Sequence, residues 1–194
     1  MSQISRIIPA FNEEATIKNV IDAVKKSSLF KEIIVVNDGS TDKTRQILQN
    51  ERDIVFIDLE KNVGKGGAVS KGIKRATGEI TLMIDADLSG IGKESFEKLL
   101  APILNNESDV VVGVIQHHKR RFVSFIQKTA SVLSGQQAFR TELAKDARID
   151  DTRFGLELAL NDHFKRKKAR IKKATLSGVS HRIKEEKMGV SEGV

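Results

Sequence analysis

Apolar residues in the first 116 positions alternate between two spacings. Runs rich in Ile and Val recur at Ile4 to Pro9, Glu32 to Asn37, Ile54 to Leu59, Glu79 to Ile84 and Asp109 to Ile115. Near-continuous β-branched runs of this length predict strands covered on both faces, as in a mainly parallel sheet. Between them apolar positions recur at helical spacing. Ala15, Ile17, Val20, Ile21 and Val24 follow Asn12, a candidate N-cap, with Glu13 and Glu14 placed where a first helical turn favours acid. A second helix is expected from Ser40 or Thr41 through Ile47 and Leu48, and a third from Gly66 to Ala76. A fourth carries Phe96, Leu99, Leu100, Ile103 and Leu104 on one face, with a kink or early end expected at Pro102. The alternation reads as successive βα units and sets the fold class as α/β.

Beyond Gln116 the pattern loosens. Phe122, Phe125, Ile126, Thr129 and Val132 predict a helix, Phe154 to Phe164 another, and Ala169 to Leu176 a basic edge strand. The tail from Ser180 is polar. No repeat or linker divides the 194 residues, so a single domain over 1–194 is expected, with 1–116 and 117–194 as its two parts.

Composition narrows the classes. With no cysteine, disulfide frameworks and thiolate zinc sites are excluded, and a reducing compartment, the cytoplasm, is the default expectation. No apolar run reaches the roughly 20 residues of a membrane span, and the opening residues lack a secretory pattern. The net charge of +7 is lopsided: residues 1–116 hold 15 Lys+Arg against 17 Asp+Glu, residues 117–194 hold 18 against 9. The basic part permits contact with phosphates or with an anionic membrane surface; the alternative for Lys165 to Lys173 is a solvated helix and strand. No tyrosine or tryptophan interleaves the basic residues, which argues against nucleic acid as a partner. Oligomeric state is left open, and a homo-oligomer is compatible with this composition.

Candidate chemistry lies where predicted strands end, the ligand-binding edge of an open α/β sheet. Asp85 and Asp87 close the run Ile80 to Ile84. Two carboxylates one residue apart repel unless a cation or donor network lies between them, and a divalent ion held this way completes its shell with water and diphosphate oxygens. The alternative is a turn capped by aspartates. Asp38, before Gly39, ends another strand and is suited to accept from a ribose or base, or else to shape a turn. Asn62 to Ala68 is a glycine-rich loop opening a helix, placing backbone N–H groups and Lys65 for phosphate. It lacks the spacing of a P-loop, and no Gly-x-Gly-x-x-Gly follows the first strand.

Four segments in order, Ile7-Ile8-Pro9-Ala10-Phe11-Asn12-Glu13-Glu14, Val35-Val36-Asn37-Asp38-Gly39-Ser40-Thr41-Asp42, Asn62-Val63-Gly64-Lys65-Gly66-Gly67-Ala68 and Asp85-Ala86-Asp87-Leu88, resemble the family-2 nucleotide-sugar glycosyltransferases. The resemblance implies the GT-A fold, a Rossmann-like three-layer sandwich with a mainly parallel central sheet. It implies that Pro9, Ala10, Phe11 and Glu13 line the nucleoside pocket and that Asp38 meets base or ribose. Lys65 and Gly66 would lie beside the nucleotide. Asp85, Ala86 and Asp87 would face ribose and diphosphate, Asp87 foremost as ligand of Mg2+ or Mn2+. Ser134-Gly135-Gln136-Gln137-Ala138-Phe139-Arg140 and Arg153-Phe154-Gly155-Leu156-Glu157-Leu158-Ala159-Leu160 are similar to acceptor-side segments of polyprenyl-phosphate glycosyltransferases and glucosyl-phosphoglycerate synthase-like enzymes. Ser134, Gly135, Gln136 and Arg140 are thus expected on the acceptor side, and Glu157 as general base or sugar anchor, against a surface residue of an amphipathic helix.

Some relatives place Gln or His just after the acidic pair, whereas Ser89 and Gly90 follow Leu88 here. His181 is similar to a histidine that completes the metal shell from a C-terminal segment, the alternative being a solvated histidine. His117 to Arg121 would add phosphate or membrane-surface contact, or be solvated. The resemblance implies an inverting, metal-dependent transfer of a sugar from a nucleoside diphosphate sugar to an acceptor such as polyprenyl phosphate or another anion. A nucleotidyltransferase and a non-catalytic nucleotide-sugar-binding module are the rivals.

Overall fold

The computed structural model describes residues 3–116, 134–152 and 155–181. The expected helix at 122–132, the His117 to Arg121 cluster, Arg153, Phe154 and the tail from Arg182 lie outside the described residues.

The chain runs β1 (Ile4–Ala10), α1 (Ile17–Lys25), β2 (Glu32–Asn37), α2 (Thr44–Gln49), β3 (Val55–Asp58), α3 (Lys65–Arg75), β4 (Ile80–Met83), β5 (Leu88–Ser89), α4 (Lys93–Leu104) and β6 (Val110–Ile115). It continues with β7 (Gln137–Arg140), α5 (Thr141–Ala144), α6 (Leu156–Arg166), β8 (Ile171–Leu176) and β9 (Ser180–His181). Among the described residues seven strands form one sheet in the order β3-β2-β1-β4-β7-β6-β8, and β5 pairs with β9 in a separate ribbon. All pairings in the large sheet are parallel except those of β7, which is antiparallel to both neighbours.

Strand alternation builds the three layers. Ile8, Val35 and Leu82 point to one face and pack on Ile17, Val20, Ile21 and Val24 of α1 and on Phe96, Leu99, Leu100 and Ile103 of α4. Their neighbours Ile7, Ile34 and Met83 point to the other face, onto Val69 and Ile73 of α3 and Leu160 and Phe164 of α6. Both faces being covered, β1 is buried along its whole length, which is why its sequence is a run rather than an alternation.

Two polar residues interrupt the run, Ser5, which donates to Glu32 at 2.6 Å, and Arg6. Arg6 is fully buried, with its guanidinium carbon 3.9 Å from the Phe96 ring centroid and 4.7 Å from that of Phe30. None of its side-chain nitrogens has a hydrogen-bond partner among the described residues. Burial pulls its pKa well below the usual arginine value.

Several expectations are corrected. Asn12 does not cap α1, which begins at Ile17 with no acid in its first turn. Asn12 sits at φ +55 and its side chain accepts from the Thr41 N–H at 2.8 Å, while its own N–H donates to Ser40 Oγ at 3.0 Å. A short polar side chain at a left-handed position is thus used to tie two loops together. Helix α2 starts at Thr44, not Ser40 or Thr41, because Asp42 takes the Thr44 N–H at 2.9 Å. Helix α4 carries through Pro102 and ends two residues on, leaving Leu104 at 47% exposure, off the core face. The basic strand β8 does lie at the sheet edge as its sequence predicts, pairing among the described residues with β6 alone.

Candidate donor site

In the strand order, β1 is the hinge of the sheet: the chain winds outward from it to β2 and β3, then returns across it to β4. Crevices for ligands open at the carboxyl ends of strands where winding reverses, here between the loops after β1 and β4. Parallel pairing of Ile7 with Met83 brings those loops side by side. A cavity of about 570 Å3 lies there, lined by Pro9, Ala10, Phe11, Glu13, Asp38, Asn62, Gly64, Lys65, Ala68, Asp85, Ala86, Asp87 and His181.

The nucleoside-side candidates arrive on two laced loops. The N–H groups of Glu13 and Glu14 donate to Thr44 Oγ1 at 2.8 Å and Asp42 Oδ2 at 3.1 Å, fixing the loop after β1 on the loop after β2. Phe11 is left 43% exposed at the cavity wall. Asp38 receives the N–H groups of Val63 at 2.8 Å and Gly64 at 3.0 Å, so its carboxylate also pins the glycine-rich loop. Burial raises its pKa against those two hydrogen bonds. Gly66 is buried against the 149–152 segment, donating its N–H to the Thr152 carbonyl at 3.1 Å, and does not line the cavity.

Lys65 occupies the centre of the rim. Its Nζ is 2.6 Å from Asp85 Oδ1 and 2.7 Å from Glu157 Oε1. Burial would depress its pKa, but the two carboxylates outweigh it and raise the value, so the ammonium is charged at any physiological pH. Glu157 sits in the first turn of α6, where the macrodipole favours a carboxylate, and its side chain turns in towards Lys65 with 15% exposure. It is not a freely solvated surface residue.

The acidic pair divides its work. Asp85 contacts Lys65 through Oδ1 and Gln136 through Oδ2, where the Gln136 amide donates at 2.8 Å. Asp87 Oδ1 lies 3.0 Å from His181 Nδ1. The His181 pKa is raised, chiefly by its hydrogen bond to Asp87, with burial opposing. Ligand atoms of Asp85, Asp87 and His181 come within 4.8 Å of one another. Two carboxylates and an imidazole fit a divalent cation such as Mn2+ or Mg2+, the imidazole favouring the softer of the two.

The β5–β9 ribbon delivers that histidine. Leu88 pairs with His181 and Ser89 with Ser180, immediately after the acidic pair. Gly90, at φ +75, carries the turn; a Cβ there would lie 2.0 Å from the Gly178 carbonyl oxygen, so only glycine admits the close crossing of the two segments.

Arg140 is not brought to the rim of the cavity. Because β7 runs antiparallel to β4, Gln137 pairs with Met83 at the rim while Arg140 pairs with Ile80 three residues away, about 10 Å down the strand. Its side chain bonds Asp109 at 3.3 Å and Asn106 at 3.0 Å, away from the cavity. Four of the seven basic residues in 165–173 approach acidic partners. Lys165 approaches Asp162, Lys167 pairs with Asp146, Arg170 grips Asp109 at 2.9 Å and Lys172 meets Glu107 at 2.7 Å. Among the described residues, no helix is long and apolar enough to cross a membrane. Asn62, Gly64 and Ala68 line the cavity, although of their loop only Lys65 and Gly66 were singled out from the sequence as site residues; membership of the glycine-rich motif was the available signal.

A seven-stranded, mainly parallel sheet with one antiparallel inner strand, covered on both faces by helices and carrying an acidic rim at its switch point, is the GT-A fold of its structural neighbours. A family model described as Glycosyl transferase family 2 matches residues 5–172. The chain belongs to glycosyltransferase family 2. It is 32% identical over 162 residues to a dolichyl-phosphate beta-glucosyltransferase ALG5A of Trichomonas vaginalis, covering 71% of this chain and 50% of that protein. A poly-beta-1,6-N-acetyl-D-glucosamine synthase of Staphylococcus epidermidis is 39% identical over 88 residues, 43% of this chain and 21% of that one. The chain thus spans half or less of these relatives' length. Glucosyl-3-phosphoglycerate synthase of Mycobacterium tuberculosis, solved with Mn2+, UDP-glucose and phosphoglyceric acid, superposes with a TM-score of 0.72 at 28% identity, covering 97% of this chain and 75% of that chain. The same enzyme has been solved with Mg2+ and UDP.

Proposed function

We propose that this protein transfers a hexose from a UDP-sugar to a phosphate-bearing acceptor, with inversion at the anomeric carbon. The observation that carries the reading is the convergence of Lys65, Asp85, Asp87 and His181 on one rim of the cavity whose other walls are the Pro9 to Glu13 loop and Asp38. The related Mycobacterium tuberculosis enzyme binds UDP-glucose with phosphoglyceric acid, and the Trichomonas vaginalis relative is named for dolichyl phosphate, so both support an anionic acceptor.

Asp87 and His181, with Asp85 beside them, would hold Mg2+ or Mn2+, and the bound ion supplies positive charge against the diphosphate that departs. Lys65 adds a fixed ammonium on the same side, desolvated enough for its charge to count. Phe11, Pro9, Ala10 and Glu13 receive the nucleoside, while Asp38 keeps the glycine-rich loop backed against it. In the transfer an acceptor oxygen forms the new bond to the anomeric carbon as the bond from that carbon to the diphosphate breaks, releasing UDP. A phosphate acceptor brings no proton to remove. A hydroxyl acceptor would have to give its proton to Glu157, which is held by Lys65 within reach of the rim.

The test offers UDP-glucose and Mn2+ with phosphoglyceric acid in one arm and polyprenyl phosphate in the other, reading UDP release and glycosylated product. Turnover in either arm with inverted product supports the reading. Pyrophosphate release from a nucleoside triphosphate would make it a nucleotidyltransferase, and tight donor binding without turnover would make it a binding module. Asp87→Ala is expected to abolish metal-dependent donor binding; unchanged affinity at saturating Mn2+ refutes the assignment.

A further inference from the structure

Gln136 comes from a segment whose sequence suggested acceptor contact, yet it is completely buried and does not line the cavity. What surrounds it is a cradle for one carboxylate. Ser134 Oγ donates to Gln136 Oε1 at 2.7 Å, which commits that oxygen as acceptor and turns the amide nitrogen towards Asp85. The nitrogen then donates to Asp85 Oδ2 at 2.8 Å. Between the two, the backbone of Gly135 lies flat on the same carboxylate, where a Cβ would stand 2.2 Å from Oδ2 and 2.4 Å from Oδ1. The cradle is anchored to the sheet, since the Gly113 N–H donates to the Gln136 carbonyl at 2.8 Å.

With Oδ2 taken, Asp85 presents Oδ1 to Lys65 at 2.6 Å. We propose that Gln136 is a positioning residue of the donor site: it fixes the rotation of Asp85, and through Asp85 the place of the Lys65 ammonium at the diphosphate end of the cavity. A neutral amide suits this task, because it donates to a carboxylate without adding charge to a rim that already holds Lys65, Asp85, Asp87, Glu157 and His181. Ser134 serves the same end one step back. The inference rests on the proposed transferase reading for its kinetic consequences, but its structural consequence stands apart from it.

The experiment is a double-mutant cycle on the full chain. Gln136→Leu removes the donor while keeping bulk, and is expected to lower kcat for UDP-glucose by about 10- to 100-fold, the scale set by small misplacements of a charged group. Acceptor KM should stay within about threefold of the starting value, as a residue off the substrate surface predicts. In an Asp85→Ala background the same substitution should cost nothing further, because Gln136 acts through the side chain already removed. Multiplicative losses in the double variant, or a rise in acceptor KM with kcat intact, overturn the proposal. Should Gln136→Leu fail to fold, Ser134→Ala is read in the same cycle, with a smaller loss that again vanishes in the Asp85→Ala background.

Crystal structures of the ligand-free wild type and Gln136→Leu proteins give a readout independent of activity. Asp85 should rotate away from Lys65 in the variant; an unmoved Asp85–Lys65 pair overturns the proposal. Absence of transfer by the wild-type protein with every acceptor would count against the transferase reading and leave this structural comparison to decide.

Discussion

Protonation of His181 should set the acid limit of metal binding. The perturbation is pH itself. A cation can take Nδ1 only from the neutral imidazole, yet Asp87, 3.0 Å away, favours the protonated ring and raises its pKa above the ordinary value near about 6.5. Each ion bound below that raised pKa displaces one proton. Apparent Kd for Mn2+ should therefore rise about tenfold per pH unit on acidification, equivalent to about 1.4 kcal/mol per unit. The sign for the metal-free protein is opposite. The His181–Asp87 contact contributes stability that is fully present below the unfolded pKa and is lost as pH rises through the higher folded one. Acid should thus hold the β5–β9 ribbon more firmly while expelling the ion. Calorimetric titration of MnCl2 into protein saturated with UDP-glucose, from pH 5.5 to 8.5 in two buffers of different ionisation enthalpy, reads both affinity and proton release. His181→Ala should bind more weakly at pH 8 and lose the slope. An affinity flat across this range in the wild type, or a slope that survives His181→Ala, refutes the reasoning.

Other outcomes follow from the packing. Arg6→Met removes a fully buried guanidinium that has no acceptor among the described residues. Loss of its ring contacts costs about 1–2 kcal/mol, but relief of desolvation is larger, and a net gain of about 1–3 kcal/mol is expected in urea denaturation; destabilisation would show that Arg6 is satisfied. Gly90→Ala places a Cβ against the Gly178 carbonyl at a left-handed φ. It should cost about 1–3 kcal/mol and weaken Mn2+-dependent donor binding by unseating His181, with normal binding arguing against the ribbon's role. Asp109 takes three hydrogen bonds from Arg170, which with Arg140 holds its pKa well below the usual carboxylate range. Its contribution is present above the unfolded pKa and is lost as pH falls through the folded one. Asp109→Asn should thus cost about 1 kcal/mol after solvent screening, a difference that is constant from pH 8 to 5 and fades only in stronger acid. A difference that grows on acidification would contradict it.

Reading the chain as βα units succeeded for β1, β2, β4 and β6 because strands covered on both faces must be largely apolar, and that leaves a local mark; β3, half-buried at the sheet edge, kept an apolar run as well. The same holds for the carboxyl-end clusters, since polar residues closing an apolar run have few other places to be. Strand β7 left no such mark. It spans four residues, begins with a glutamine, and is a strand only because β4 and β6 flank it. The Asn12 cap failed for a related reason: the same side chain can hydrogen-bond its own helix or another loop, and the Ser40–Thr41 loop lay close enough to win.

By itself, then, the sequence determined the α/β class, the order of the early strands, and a cluster of Asp38, Lys65, Asp85 and Asp87 at one edge of the sheet. Only the tertiary structure decided how those residues are shared out. It gave Asp85 to Lys65 and Gln136, brought His181 to Asp87 across 94 residues through a two-residue ribbon, and carried Arg140 to the opposite end of its strand. Local pattern reports what a residue's own segment must bury; partners distant in sequence are chosen by register, strand direction and close backbone approach, which no window of neighbouring residues contains.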